Sequence, residues 1–163
     1  MANNGGPGGV LSLHMGGDRV AWCYGSSDLG LWQLPKSDDH GCLGAAVIDA
    51  VSDFCKVMKP RVIVVSGSQG DIESVRPDVA VLHIGLLMAV RIYAYRRKIP
   101  LEVPNIQEVR AKVLGRSDFP RANGLKSAVL SLARRRGLNT VEVDQAHALM
   151  LWSYRSELEE VAK

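Results

Sequence analysis

The chain has 163 residues, 47% of them hydrophobic, and carries 20 Lys and Arg against 17 Asp and Glu for a net charge of +3. That length supports one domain with a sizeable core and is short for two. No run approaches the ~18 apolar residues of a membrane span, and the opening MANNGGPGG lacks the charge and apolar stretch of a secretory signal. The expectation is therefore a cytoplasmic protein with no membrane partner. Cys23, Cys42 and Cys55 are odd in number and show no CxxC spacing, which points away from a disulfide framework or a zinc site and towards reduced, mostly buried thiols. Charge is unevenly spread: three Lys and Arg stand against six Asp and Glu up to Met58, and 17 against 11 from Lys59 onward. The basic second part permits contact with a polyanion.

Residues 1–9 cannot bury apolar area and are expected as a flexible tail ahead of a single domain over 10–163. Val10 to Met15 is a short apolar run that stops at Gly16-Gly17-Asp18, and Arg19 to Tyr24 follows at hairpin distance. Leu29 to Leu34 makes a third strand, ended by Pro35. From Leu43 the period lengthens: Leu43, Val47, Val51, Phe54 and Met58 mark an amphipathic helix that stops before Pro60. Arg61 to Ser66 is β-branched without alternation, the pattern of a central strand covered on both faces, and a loop leaves it over Ser66 to Gly70.

Pro77 opens a strongly apolar helix to Lys98. Its stripe Leu82, Leu86 and Val90 predicts a core face, with a dimer interface as the alternative. Ile99 to Val103, bounded by Pro100 and Pro104, is read as the last strand, and Ile106 to Leu114 as a short helix. Leu125, Ala128, Val129, Leu132 and Ala133 form a helical face ended by Gly137, and a final helix covers about Asp144 to Glu160. Three antiparallel strands followed by alternating helices and strands predict an α/β mixed sheet with helices on both faces.

The candidate site is Val141-Glu142-Val143-Asp144-Gln145-Ala146-His147. Residues three apart on a helix share a face, so the Asp144 carboxylate and the His147 imidazole can point at one ion, water or phosphate. The plain reading is that Asp144 caps the helix and His147 is packed or solvated.

The stretch Val109-Arg110-Ala111-Lys112-Val113-Leu114-Gly115, then Ala122-Asn123-Gly124-Leu125-Lys126, then Asp144-Gln145-Ala146-His147-Ala148-Leu149 resembles the RuvC-type Holliday junction resolvases, of the ribonuclease H-like superfamily. The resemblance covers most of Val10 to Leu158. It implies a ribonuclease H-like fold, a homodimer, branched DNA as the partner, and phosphodiester hydrolysis assisted by divalent metal, Mg²⁺ or Mn²⁺. The family places one Asp in the first strand, one Glu at the end of the central parallel strand, and two acids in the last helix. Those positions fall here on His14, about Ser66, Asp144 and His147, so one carboxylate of four stands in place.

Two dications need hard oxygen ligands, and two of the four positions offer imidazole and one a hydroxyl. The substitutions therefore lead to the expectation of a junction-binding pseudonuclease with a degraded metal site, holding a divalent metal as the resemblance implies or none. One alternative is an active endonuclease in which His14, Asp144 and His147 bind a single softer ion such as Mn²⁺, Zn²⁺ or Ni²⁺. Another is a protein interaction module. Asp18, Asp71 or Glu73 could also replace a lost acid, although Asp18 reads as a turn residue and Asp71 as a loop or capping residue. Lys112, Arg116, Arg121 and Lys126 surround the loop from Gly115 to Gly124 and are the candidate phosphate contacts, with solvated surface charge as the alternative. Arg134-Arg135-Arg136 suits a helix C-terminus.

Overall fold

The computed structural model describes residues 9–66, 77–119, 122–139 and 141–161. The expected tail up to Gly8, the loop beyond Ser66, the substitute acids Asp71 and Glu73, and Arg121 lie outside the described residues.

An antiparallel meander of β1 (Val10–Met15), β2 (Arg19–Tyr24) and β3 (Asp28–Gln33) starts the fold. Its register pairs His14 with Ala21 and Leu13 with Trp22. Side chains alternate along a strand, so Ser12 and His14 share one face with Arg19, Ala21 and Cys23. Leu11, Leu13, Met15, Val20 and Tyr24 fill the other face.

α1 (His40–Met58) begins where Asp39 Oδ1 accepts from the Gly41 N–H at 2.8 Å, and ends at Lys59, whose φ of 47° turns the chain out of the helix before Pro60. β4 (Val62–Val65) then runs parallel to β1, pairing Leu11 with Ile63 and Leu13 with Val65, and all four of its side chains are buried. β5 (Leu101–Glu102) adds on parallel to β4, giving the sheet order β3-β2-β1-β4-β5.

α2 (Pro77–Arg97) packs with α1 on one face of the sheet, where Val47, Val51, Leu86 and Val90 meet Leu11, Leu13, Ile63 and Val65. α3 (Ile106–Leu114), α4 (Ala122–Arg135) and α5 (Val143–Val161) cover the opposite face, with Val109, Val129, Leu149 and Tyr154 against Ala21 and Cys23. α5 lies across β1, β2, β3 and β4. Its position is fixed by a buried polar contact: Ser12 Oγ donates to the Ala148 carbonyl at 2.7 Å. A buried hydroxyl is costly unless paired, so this bond favours one seating of the helix on β1. An ion pair from Arg155 to Glu102 at 2.8 Å ties a later turn of α5 to β5, and Glu159, one turn on in the same helix, holds the Arg155 guanidinium from the other side at 2.8 Å.

The architecture is the expected α/β mixed sheet, with local corrections. β5 is shorter than the segment from Ile99 to Val103, because Pro100 and Pro104 bound it and have no N–H to donate. α1 starts at His40, before the first apolar position. Cys23 and Cys55 are buried as expected, and Cys42 is exposed. Leu86 and Val90 lie in the core and Leu82 packs partly buried against it, whereas the other side of α2 exposes Val81, Ile84, Met88, Ile92 and Tyr95. α2 is also long and apolar enough, by length and composition alone, to cross a membrane, which the expectation of no such run passed over. Here its inner face is packed on the sheet.

Candidate functional site

Because β1 and β4 are parallel, their C-terminal ends emerge at one edge of the sheet, and the first turn of α5 comes down over that edge. Ser66 follows β4 directly: its N–H donates to the Leu13 carbonyl at 3.0 Å, and its Oγ accepts from the Met15 N–H at 3.4 Å. These contacts flank His14, so the two strand-end positions are adjacent. Across them, His14 Nε2 lies 3.7 Å from Asp144 Oδ1, and the His14 ring stacks on His147 with centroids 4.6 Å apart. Asp144, His147, His14 and Ser66 thus form one corner.

Asp144 is not the helix cap. It is the second residue of α5, while the Glu142 carbonyl accepts from the Ala146 N–H at 3.0 Å and the Glu142 N–H donates to Gln145 Oε1 at 2.9 Å. With the helix start satisfied by its neighbours, the Asp144 carboxylate is directed to side chains instead.

The His14 side chain retains 22% exposure. Burial, reinforced by His147, His83 and Arg110 nearby, lowers its pKa to about 3, so the ring is neutral near pH 7. Its approach to Asp144 is a polar contact and not an ion pair at that pH. His83, from α2, is also held below its ordinary value by burial, against an opposing hydrogen bond with the Gly16 backbone. The His83 Nε2 is buried and has no hydrogen-bond partner among the described residues.

Asp144 has a third neighbour, Arg19. This guanidinium opens β2 on the α5 face, with Nη1 2.7 Å from Glu142 Oε2, Nε 3.0 Å from Asp18 Oδ1 and Nε 3.8 Å from Asp144 Oδ2. Asp18 is a turn residue, as expected, and its hydrogen bond from Arg19 holds its carboxyl below the usual range. It faces Arg19 and does not replace a strand-end acid.

Arg19, His83 and Arg110 were not singled out from sequence. A signal existed for Arg19, since the hairpin register puts it two residues from Ala21 and so on the His14 face. None existed for His83 or Arg110, which reach the corner from helices distant in sequence.

Of the basic candidates, Lys112 is exposed with its ammonium 5.6 Å over the Tyr154 ring. Arg116 is exposed, donates through Nε to the Asp118 carbonyl at 2.7 Å, and lies 5.1 Å over the Phe119 ring. Lys126 is exposed in the second turn of α4 and does not open that helix. Arg110 carries α3 to the His14 corner, so the segment bearing Lys112 and Arg116 leaves from beside it.

The corner does not fit a pair of hard divalent ions. It offers one carboxylate and two imidazoles, and a guanidinium already stands against that carboxylate. Among the described residues, no group of three or more His, Cys, Asp or Glu side chains is arranged to hold a metal.

No protein-family model and no curated protein matches the chain. Solved structures do. RuvC of Thermus thermophilus superposes with a TM-score of 0.71 at 13% identity, over 94% of this chain and 96% of that one. The same protein in complex with a Holliday junction substrate gives 0.70 at 12% identity, over 93% and 95%. The yeast mitochondrial Holliday junction resolvase gives 0.51 at 14% identity, over 94% and 83%. The chain has the ribonuclease H-like fold of RuvC.

Proposed function

We propose that this protein binds branched DNA, of the Holliday junction type, and does so as a pseudonuclease. The observation that carries the reading is the corner itself: within a RuvC fold, His14 and Ser66 stand at the strand ends, and the one remaining carboxylate, Asp144, is engaged by Arg19 and faces His14. Hydrolysis by two metal ions needs anionic oxygen ligands at those places, and imidazole and hydroxyl groups do not supply them. Lys112, Arg116, Arg121 and Lys126 are the proposed phosphate contacts, acting on the DNA backbone irrespective of sequence. A role on DNA is in keeping with a cytoplasmic protein.

The exposed side of α2 supports a homodimer. Val81, Ile84, Met88, Ile92 and Tyr95 recur at three- and four-residue spacing along one outward stripe, and a contiguous apolar stripe of that length is unusual on a free surface. The same stripe would serve a different protein if the chain were an interaction module with no nucleic-acid role.

A second reading, an active endonuclease with an altered site, draws on the closeness of His14, His147 and Asp144. Two imidazoles and one carboxylate are a donor set that a single softer ion such as Mn²⁺ or Zn²⁺ uses, and on this reading the three side chains, which do not converge as a ligand cluster here, would have to close on the ion.

One assay separates these readings. Purified full-length chain is incubated with a four-way DNA junction, with and without Mg²⁺ or Mn²⁺, and binding and cutting are scored separately. Salt-sensitive binding without cutting is the expected result. Metal-dependent cutting abolished in Asp144→Asn would replace the pseudonuclease with the active enzyme, and no binding at low salt would leave the interaction module.

A further inference from the structure

The Arg19 guanidinium lies within 4 Å of three carboxylates from two separate parts of the chain: Asp18 from the β1–β2 turn at 3.0 Å, and Glu142 and Asp144 from the start of α5 at 2.7 Å and 3.8 Å. Its side chain is 32% exposed, and its contacts with Glu142 and Asp144 make it part of the corner. The turn is shaped around it. The Gly16 N–H donates to the Arg19 carbonyl at 2.8 Å, and a Cβ at Gly16 would stand 2.9 Å from that carbonyl oxygen and 3.4 Å from Asp144 Oδ2. Any larger residue there would push the turn away from Arg19 and Asp144.

We propose that Arg19 is the resident cation of this corner, occupying the electrostatic place beside Asp144 that a divalent ion would otherwise take and so excluding metal. A guanidinium suits that role because it cannot lose its proton in a protein and presents several N–H donors in a fixed plane. A divalent ion bound to Asp144 would sit ~2.0–2.6 Å from a carboxylate oxygen, within a few ångströms of the Arg19 charge, and like charges that close repel each other. Arg19 is a positioning residue: it is hydrogen-bonded to Asp18 and Glu142 and brings its charge to 3.8 Å from Asp144. The inference concerns the corner alone and holds whether or not the chain binds DNA.

The test removes the charge and looks for the metal. The ¹⁵N-labelled full-length chain is titrated with MnCl₂ in the absence of DNA, and paramagnetic broadening is followed at the backbone amides of Asp144, Gln145 and Ala146. In the wild type these signals resist broadening. In Arg19→Gln the three carboxylates lose their partner, and the same signals broaden at Mn²⁺ concentrations roughly tenfold or more lower. Arg19→Lys restores the resistance, and adding Glu142→Gln to Arg19→Gln removes the gained binding. Ready broadening at these amides in the wild type overturns the proposal whatever the variants do. Equal resistance in Arg19→Gln and the second neutral variant, Arg19→Ser, overturns it as well, because something other than Arg19 would then be keeping the metal out.

Discussion

The His14 ring lies on the His147 ring, centroids 4.6 Å apart and planes 17° from parallel, while its Nε2 lies 3.7 Å from the Asp144 carboxylate, so the imidazole on β1 meets two side chains of the same helix. A proton placed on His14 must therefore be accommodated against His147 and the nearby Arg110, in a site where burial already disfavours charge.

The stability of the fold should accordingly depend on pH through His14. Its folded pKa of about 3 lies below the ordinary 6.5, so the unfolded chain takes up a proton first as pH falls. The stability contributed by the neutral ring is fully present above pH 6.5 and is lost progressively between 6.5 and about 3. A tenfold difference in proton affinity between the folded and unfolded chain corresponds to about 1.4 kcal/mol, and His83, also held below its ordinary value, acts in the same direction. Urea unfolding at a series of pH values should show this decline in the wild type and a shallower one in His14→Gln. Parallel curves would remove His14 as the cause.

Ser12→Ala should cost about 1–2 kcal/mol, since it leaves Ala148 without the side-chain donor that locates α5 on β1. Urea unfolding measures the loss. Chemical-shift changes at Asp144 and His147 should accompany it, because both residues take their place from the seating of that helix.

At Gly30 the opposite β2 face decides the outcome. A Cβ there would lie 2.4 Å from the Trp22 indole, which is itself packed against Trp32 and Phe54. Gly30→Ala must therefore displace a ring within an aromatic cluster, at a cost of about 1–3 kcal/mol. A change in near-ultraviolet circular dichroism with unchanged far-ultraviolet signal would locate the effect in the cluster, and full retention of both would refute the steric argument.

For the α2 stripe, Met88→Glu combined with Ile92→Lys should convert the proposed dimer to a monomer in sedimentation velocity, with the fold intact because both side chains are exposed. A wild type that sediments as a monomer at all accessible concentrations would show the stripe to have another use.

Substitution of Lys112, Arg116 or Lys126 by Ala should weaken junction binding similarly across sequences and lower the magnitude of the salt slope by about one for each lost phosphate contact. An unchanged slope would mean that these cations are ordinary surface charge.

The sheet was legible in the sequence because its signals are local. Gly16 and Gly17 separate two strand-forming runs, and the unbroken β-branched run from Val62 to Val65 marks a strand buried on both faces. The i, i+3 spacing of Asp144 and His147 likewise identified one wall of the corner. What periodicity could not give was the partnering of Arg19 with Glu142, 123 residues apart, or the approach of His83 and Arg110, since nothing in either segment records what it meets. The second apolar face of α2 was hidden for a different reason: Val81, Ile84, Met88 and Ile92 are as hydrophobic as the inward positions, so the helix presents little contrast around its axis.

The β1–β2 turn sets more than the length of a hairpin. Side chains alternate between sheet faces, so a single residue inserted between Met15 and Arg19, with β2 otherwise slipping by one, would rotate Arg19 to the α1 side and bring Val20 beneath the first turn of α5. Three carboxylates would lose their cation without a change to any of them. The charge state of the corner is thus encoded in the spacing of the hairpin as much as in the identity of its residues, and relatives that differ by one residue in this turn should differ in whether Asp144 is free to meet an ion.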